Sequence, residues 1–313
     1  METTPSSVLV PTSMSALGTF LRCQRKYYYQ EVKSLIPLSG GSSEAMTMGT
    51  IFHEALAAIY RDMRQYNYVT PGHLILGHSG IDAIVARGYT EHHGEKQSFE
   101  LAPDKVQLLH DMLDLYWTEY GSKDEFDEII AVEEPFILEI GGYAIRCTFD
   151  LVVREKGQIV IFDHKTVGSI KETLEFLPLD FQIGAYMLAG YKHFGQPVEF
   201  VYNMVRRAKP GGKTGRASTD IGDYLRRERL WKSESELAEW QKILSHIVLE
   251  VSLLEHEAIL AGSGGESYLR SPQKGYMGGC NSCSYKSVCS AELSGHTMSD
   301  DMLSMSYRIK GAA

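Results

Sequence analysis

No run of eighteen apolar residues occurs in the 313-residue chain, so no bilayer-spanning helix is encoded. An apolar signal-peptide core is also missing from the first thirty residues, and the expected compartment is the cytoplasm, away from membranes. Positive charge is short: 31 Lys and Arg against 40 Asp and Glu leave a net charge of −9. A surface that binds nucleic acid without selectivity needs a basic excess, so contact with phosphate would have to come from local clusters. Cysteine is sparse, with five in all, and in a reducing compartment these read as metal ligands and a reduced thiol rather than disulfides. No internal repeat is present. A phosphate-binding loop is missing too: Gly211-Gly212-Lys213-Thr214 has its ending, but the glycine it needs at position 207 is Arg207, and no helical pattern follows. That excludes an ATPase motor of that class.

What the chain does hold is a concentrated pair of strand-like segments. In Tyr143 to Glu155, the apolar residues Ile145, Cys147, Phe149, Leu151 and Val153 alternate with Arg146, Thr148, Asp150 and Val152, which puts Asp150 on the more polar face. In Gln158 to Thr166 the same period of two places Asp163 and Lys165 on one face, and Lys156-Gly157 between the segments is tight-hairpin chemistry. Two carboxylates and an ammonium therefore converge on one point of a sheet. Carboxylates are the oxygen ligands that Mg²⁺ or Mn²⁺ prefers. An Asp-x-Lys on an exposed strand is ordinarily a solvated ion pair. Here Ile159, Val160, Ile161 and Phe162 run straight into Asp163, so the charges follow a buried apolar stretch and need a ligand or partner. A cation, a water it activates and a positive group nearby are what phosphodiester hydrolysis requires.

Three other patterns stand apart from the core. His53 sits in Gly49-Thr50-Ile51-Phe52-His53-Glu54-Ala55-Leu56, a helical stretch in which Gly49, one turn earlier, leaves room beside the ring. Gln182 and Tyr186 lie four apart and share a helix face. Cys280, Cys283 and Cys289 fall within ten residues of a loop-like composition, while Cys23 is remote in sequence, and four thiolates suit either zinc or an iron–sulfur cluster. Cys147 faces away from Asp150 and reads as a buried thiol.

Taken in order, Cys23, Gly49 to Leu56, Asp150, Asp163-His164-Lys165-Thr166, Gln182-x3-Tyr186 and Cys280-x2-Cys283-x5-Cys289 resemble the PD-(D/E)XK nuclease superfamily, in its RecB-like branch. The split cysteine set is similar to that of the CRISPR-associated RecB-like and AddB-type exonucleases. The resemblance implies an α/β restriction-endonuclease-like core, a short mixed β-sheet flanked by helices, with an N-terminal helical region and a C-terminal iron–sulfur segment. It implies that His53, Asp150, Asp163 and the carbonyl of His164 hold Mg²⁺ or Mn²⁺, that Lys165 acts on the attacking water, and that Gln182 and Tyr186 border the cleft. It also implies a [4Fe–4S] cluster on Cys23, Cys280, Cys283 and Cys289, with structural Zn²⁺ as the alternative. The implied activity is exonucleolytic, on single-stranded DNA ends with 5′ to 3′ polarity favoured, in recombination, repair or CRISPR adaptation. Partners would be DNA, recombination or adaptation proteins, and further copies of the chain. The other reading is a non-cleaving DNA-end-binding or scaffold subunit. Thr148 stands where many relatives have glycine and Asp163 where glutamate is commoner; neither removes a ligand.

The expected organisation is a leader over 1–12, a helical region over 13–125 with Cys23 and His53, the nuclease core over 126–232, a C-terminal helix and cysteine segment over 233–292, and a tail over 293–313. Ser13 or Ser15 should cap a helix through about Lys33, and further helices are expected near Glu44 to Gln65, Ile81 to His92, Pro103 to Tyr120, Leu179 to Phe194 and Glu234 to Leu260. Strands should also cover Glu128 to Ile140, with a hairpin turn at Gly141-Gly142, and Val198 to Arg207. Basic groups at Arg206, Arg207, Lys209, Lys213 and Arg216, and at Arg22, Arg25 and Lys26, are candidate phosphate contacts, and Tyr27-Tyr28-Tyr29 could offer a base-stacking ring.

Overall fold

The structure, a computed structural model, describes residues 12–38, 43–66, 69–92, 95–210, 218–261, 265–271, 279–296 and 300–310. Most of the expected leader, positions 39–42 and the segment 211–217 that carries Lys213 and Arg216 lie outside those residues. The chain divides into two compact units. A terminal unit gathers Met1–Gly41, Glu139–Arg146 and Gln241–Ala313, and a central unit holds Ser42–Leu138 and Cys147–Trp240. The stretch expected as one helical region over 13–125 is thus shared between both.

The first elements are β1 (Thr12–Ser13), α1 (Met14–Arg22), α2 (Gln24–Tyr27) and β2 (Leu35–Pro37). Then come α3 (Glu44–Tyr66), α4 (Pro71–Arg87), the hairpin β3 (Tyr89–His92) and β4 (Glu95–Ser98), and α5 (Pro103–Tyr116). The sheet follows with β5 (Glu128–Ile140), β6 (Tyr143–Glu155) and β7 (Gln158–Val167), then α6 (Ile170–Phe176), α7 (Phe181–Phe194), β8 (Glu199–Arg206) and β9 (Leu225–Leu230). The chain closes through α8 (Glu234–Ala261), α9 (Lys286–Leu293), α10 (Asp300–Ser304) and β10 (Tyr307–Ile309).

In the central unit, β6 and β7 pair antiparallel, β7 and β8 parallel, and β8 and β9 antiparallel, with β5 on β6. This mixed α/β sheet is the expected one, extended by β9, whose Leu-Arg-Arg-Glu-Arg-Leu sequence hides a strand among charges. Lys156 and Gly157 both have positive φ, 50° and 79°, the mirror-image turn whose twist matches the flanking strands. α3 and α5 cover one face: Phe52, Leu56, Tyr60 and Leu113 pack with Leu151, Val160, Phe162 and Val201 in one buried cluster. Each such side chain removed from water stabilises the fold by about 1.5–3 kcal/mol. α7 is held by Asp180, whose carboxylate accepts from Ile183 N at 3.1 Å. A Cβ on Gly184 would meet the Trp240 ring at 2.1 Å, so glycine is what allows the indole to lie against α7.

Two helices differ from expectation for local reasons. α4 starts ten residues before Ile81, because Thr70 and His73 form a reciprocal cap around Pro71. It stops at Gly88 in the left-handed region (φ 69°), which frees Tyr89–His92 to form a hairpin strand where helix was expected. In the terminal unit Ser13 does cap α1, accepting from Ala16 N at 3.1 Å, but the helix breaks at Cys23, whose backbone is extended (φ −165°, ψ 108°). It resumes as α2 and a wide turn over Tyr28–Val32. Tyr27, Tyr28 and Tyr29 are all buried, and Tyr28 packs on Tyr268 while Tyr29 stacks on Tyr285, so none of the three is a base-stacking platform. Arg25 is likewise buried, ion-paired with Glu292 and bonded to Tyr29 and the Gly265 carbonyl, which removes it from the candidate phosphate contacts. Among the described residues no helix is long and apolar enough to cross a membrane.

Candidate active site

The β6–β7 ladder runs from Glu155↔Gln158 to Leu151↔Phe162 and stops there. Past that point the strands part, and the Asp150 side chain enters the gap. The backbone N–H of His164, no longer needed by the ladder, donates to Asp150 Oδ2 at 2.7 Å. Period-two geometry then turns Asp163 and Lys165 to the face opposite His164. Lys165 Nζ lies 2.8 Å from Asp163 Oδ2 and 2.9 Å from Oδ1. α7 adds Gln182, whose Nε2 donates to Asp163 Oδ1 at 3.4 Å. The Tyr186 phenol lies near Gln182, and its ring sits edge-on to Phe149 at 5.0 Å. The two residues thus back the Asp163–Lys165 pair from one helix face.

His53 comes from α3. Its Nδ1 is 3.5 Å from Asp150 Oδ2 and 3.9 Å from Glu133 Oε1, and the ring also meets the backbone carbonyl of His164. Gly49 serves the close approach of a strand: a Cβ there would stand 3.2 Å from Thr166 Oγ1, directly after Lys165. Thr166 is fixed from its other side by Arg207, whose Nη1 donates to both its carbonyl and its hydroxyl. Arg207 therefore braces the end of β7. Of the neighbouring basic residues, Arg206 bonds the Gly168 carbonyl and Lys209 pairs with Asp111 at 3.0 Å, while Lys213 and Arg216 lie outside the described residues.

Glu133 is the member that sequence reading missed. His53, Glu133 and Asp150 each offer a ligand atom, and the three atoms lie within 4.8 Å of one another. The signal is visible in retrospect. Along β5 the alternation fails where Ala131 and Val132 are both buried and Glu134 and Pro135 both exposed. Glu133 itself takes a left-handed backbone, φ 52°, which costs a non-glycine residue about 1–3 kcal/mol. That kink aims a carboxylate at His53 where a regular strand would not.

The electrostatics are those of a site short of positive charge. Burial, then repulsion from Asp150, pushes the Glu133 carboxyl up to about 8. Burial also raises Asp163 to about 7, against the pull of Lys165. Asp150 is held below the ordinary carboxylate range: burial works against it, but His53, Lys165 and the His164 N–H outweigh that. Burial, the largest influence, lowers His53 and so favours the neutral imidazole whose nitrogen can act as a ligand. Lys165 is raised, its burial overcome by Asp163 and Asp150. With Asp163 paired to Lys165, Asp150 and Glu133 are left with His53 and the more distant Arg61 as their positive neighbours. An imidazole and two carboxylates at this spacing fit a divalent cation of the oxygen- and nitrogen-preferring kind.

In the terminal unit, Cys23 stands at the helix break, Cys280 in a short turn, Cys283 just after it and Cys289 on α9. Burial raises the Cys283 thiol, and Cys23 and Cys280 are near enough to raise it further. Arg270 Nε donates to Cys289 Sγ at 3.3 Å, and its Nη2 pairs with Glu292 at 3.0 Å. In the central unit Cys147 is fully buried, its thiol pushed up to about 12.

No curated protein matches the chain. Among solved structures it is similar to a Eubacterium rectale protein described as "Putative exonuclease", at 12% identity over 80% of this chain and 85% of that one, with a TM-score of 0.43. It is also similar to the alkaline exonuclease LHK-Exo of Laribacter hongkongensis, at 14% identity over 57% of this chain and 92% of that one, with a TM-score of 0.29. The family model of the PD-(D/E)XK nuclease superfamily matches residues 11–290, a span that includes every residue of the cluster around Asp150. The chain belongs to that superfamily and is a phosphodiester hydrolase of a family that works with divalent metals.

Proposed function

We propose that this protein is a DNA exonuclease of the RecB-like branch, acting on single-stranded ends with 5′ to 3′ polarity favoured, in recombination, repair or CRISPR adaptation. The observation that carries the reading is the meeting of His53, Glu133 and Asp150 within 4.8 Å beside an intact Asp163–Lys165 pair. The RecB-like assignment, the polarity and the pathway rest on the ordered resemblance of the motifs. His53, Glu133 and Asp150 would hold Mg²⁺ or Mn²⁺, together with Asp163 and the carbonyl of His164. When bound, the cation supplies Lewis-acid stabilisation of charge on the phosphoryl oxygens and makes a water nucleophilic. Lys165, oriented by Asp163, positions that water and offsets charge as it develops in the transition state. Gln182 keeps Asp163 Oδ1 turned to the ammonium.

Cys23, Cys280, Cys283 and Cys289 are proposed to carry a [4Fe–4S] cluster. The split spacing, one remote cysteine and a Cys-x2-Cys-x5-Cys run, supports the cluster over a structural zinc ion, which more commonly sits on two paired Cys-x2-Cys knuckles.

The test is degradation of end-labelled single-stranded DNA with Mn²⁺ under anaerobic conditions, with Lys165→Ala and Asp150→Ala beside the wild type. The wild type should release label, and each variant should fall by at least about 100-fold, the size of effect seen when a transition-state charge is lost. If the wild type also leaves the label in place, the non-cleaving scaffold reading replaces this one. Oligonucleotides blocked at either end report the polarity.

A further inference from the structure

Behind the catalytic strand, on the face away from Lys165, three polar residues stand side by side across three strands. His164 on β7 is the register partner of Asn203 on β8, and Asn203 is the partner of Arg227 on β9. Their side chains bond in that same line. Arg227 Nε donates to Asn203 Oδ1 at 2.7 Å; since a guanidinium only donates, the amide orientation is fixed, and Asn203 Nδ2 must donate onward. It does so to His164 Nδ1 at 3.1 Å and to the Tyr116 hydroxyl at 3.2 Å. His164 Nδ1 is then an acceptor, the imidazole is neutral, and burial holds its pKa down at about 3. The far end is anchored by Asp124, which takes two bonds from Arg227 at 2.5 and 3.0 Å. Packing closes the line from above. Tyr60 stacks on His164 at 5.8 Å and hydrogen-bonds Tyr116 at 2.7 Å, and the guanidinium lies 4.2 Å over Tyr120.

None of these side chains reaches the cation site, yet the ladder ends on the residue whose main chain does. The N–H of His164 fixes Asp150, and its carbonyl meets His53. We infer that Asn203 and Arg227 are positioning residues for the metal centre: the Asp124–Arg227–Asn203–His164 line locks the peptide groups of His164, and through them sets Asp150 and His53 at ligand distance. Asn203 is 0% exposed, and burying an amide among core strands is costly unless it is hydrogen-bonded, as it is here to Arg227, His164 and Tyr116. A leucine would fill the same volume without polar groups. The inference rests on the nuclease reading.

The test separates positioning from general stability. Asn203→Leu removes the bonds to His164 and Arg227, Arg227→Lys keeps the charge but loses the fork, and Gly184→Ala serves as a control that strains the same unit at Trp240, away from the ladder. Mn²⁺ affinity is read directly by electron paramagnetic resonance, with melting temperature, kcat and KM for DNA measured on the same preparations. Asn203→Leu and Arg227→Lys should weaken Mn²⁺ binding by about 10–100-fold, the range typical for lost outer-shell partners, and lower kcat at fixed Mn²⁺ while leaving KM for DNA unchanged. Saturating Mn²⁺ should restore most of kcat. Gly184→Ala should lower the melting temperature without moving Mn²⁺ affinity. If the ladder variants melt lower but bind Mn²⁺ like the wild type, the line is only structural and the inference is overturned. A wild type that neither binds Mn²⁺ nor cuts DNA would instead remove the nuclease reading beneath it.

Discussion

His53, Glu133 and Asp150 in the central unit and the four cysteines in the terminal unit are both donor sets, but they are built to different degrees. The central donors come from a helix and two strands of a closed core, and their neighbours are already bonded: Asp150 to the His164 N–H, Asp163 to Lys165 and Gln182. The cysteines stand at a helix break, in a short turn and on an eight-residue helix. On the proposed reading, the first set is arranged before any ion arrives, and the second takes its shape from the group it holds. A metal lost from the first should therefore stop chemistry and spare the fold, and a metal lost from the second should do the reverse.

The strongest way to break this contrast is Cys283→Ser. Ligands of structural metals convert binding energy into folding energy of about 10 kcal/mol or more, so on the proposed cluster this variant should lack the iron that the wild type carries and show an early calorimetric transition for the terminal unit. Mn²⁺ binding by the central unit should be unchanged. EDTA on the wild type should give the opposite pattern, activity abolished and restored by Mn²⁺ with no shift of the main transition. Glu133→Gln sharpens the comparison within the central site. It keeps shape but removes a charge, and should raise the Mn²⁺ concentration needed for half-maximal cleavage by about 10-fold.

The smallest effect is one the two units share. Cys147, Tyr116, Tyr186 and Tyr202 in the central unit, and Tyr27, Tyr29, Tyr268 and Tyr285 in the terminal unit, are all raised by burial. Each holds its proton in the folded state beyond the pH at which the unfolded chain releases it. Their contribution is therefore full below the ordinary thiol and phenol values, 9.0 and 10.0, and is lost as pH rises past them. Each group still protonated only in the folded state costs about 1.4 kcal/mol per pH unit. Urea midpoints between pH 8 and pH 11 should decline for both units; a flat profile would mean the phenols are solvated.

How much of this could be read from residues alone varies with how locally each feature is encoded. Asp150, Asp163 and Lys165 were legible because a two-residue period fixes the face of each, and the Lys156-Gly157 turn fixes which strands meet. His53 was placed only through resemblance, since nothing in a helical repeat distinguishes a ligand from a core histidine. Glu133 was hidden because its role depends on a left-handed kink that breaks the very alternation used to read strands. β9 was hidden because Arg226, Arg227, Glu228 and Arg229 look solvated, whereas Arg227 and Arg229 are spent on Asp124, Glu155 and Glu199. The three tyrosines after Cys23 were ambiguous for the opposite reason: the wide turn over Tyr28–Val32 departs from helical spacing, and all three rings become core.

The most direct measurement is anomalous scattering at the manganese edge from crystals soaked in Mn²⁺. The account predicts one strong peak within about 2.0–2.3 Å of His53, Glu133 and Asp150, lost in Asp150→Ala crystals of the same form. A manganese peak elsewhere, or none at that cluster in ordered wild-type crystals, would contradict it.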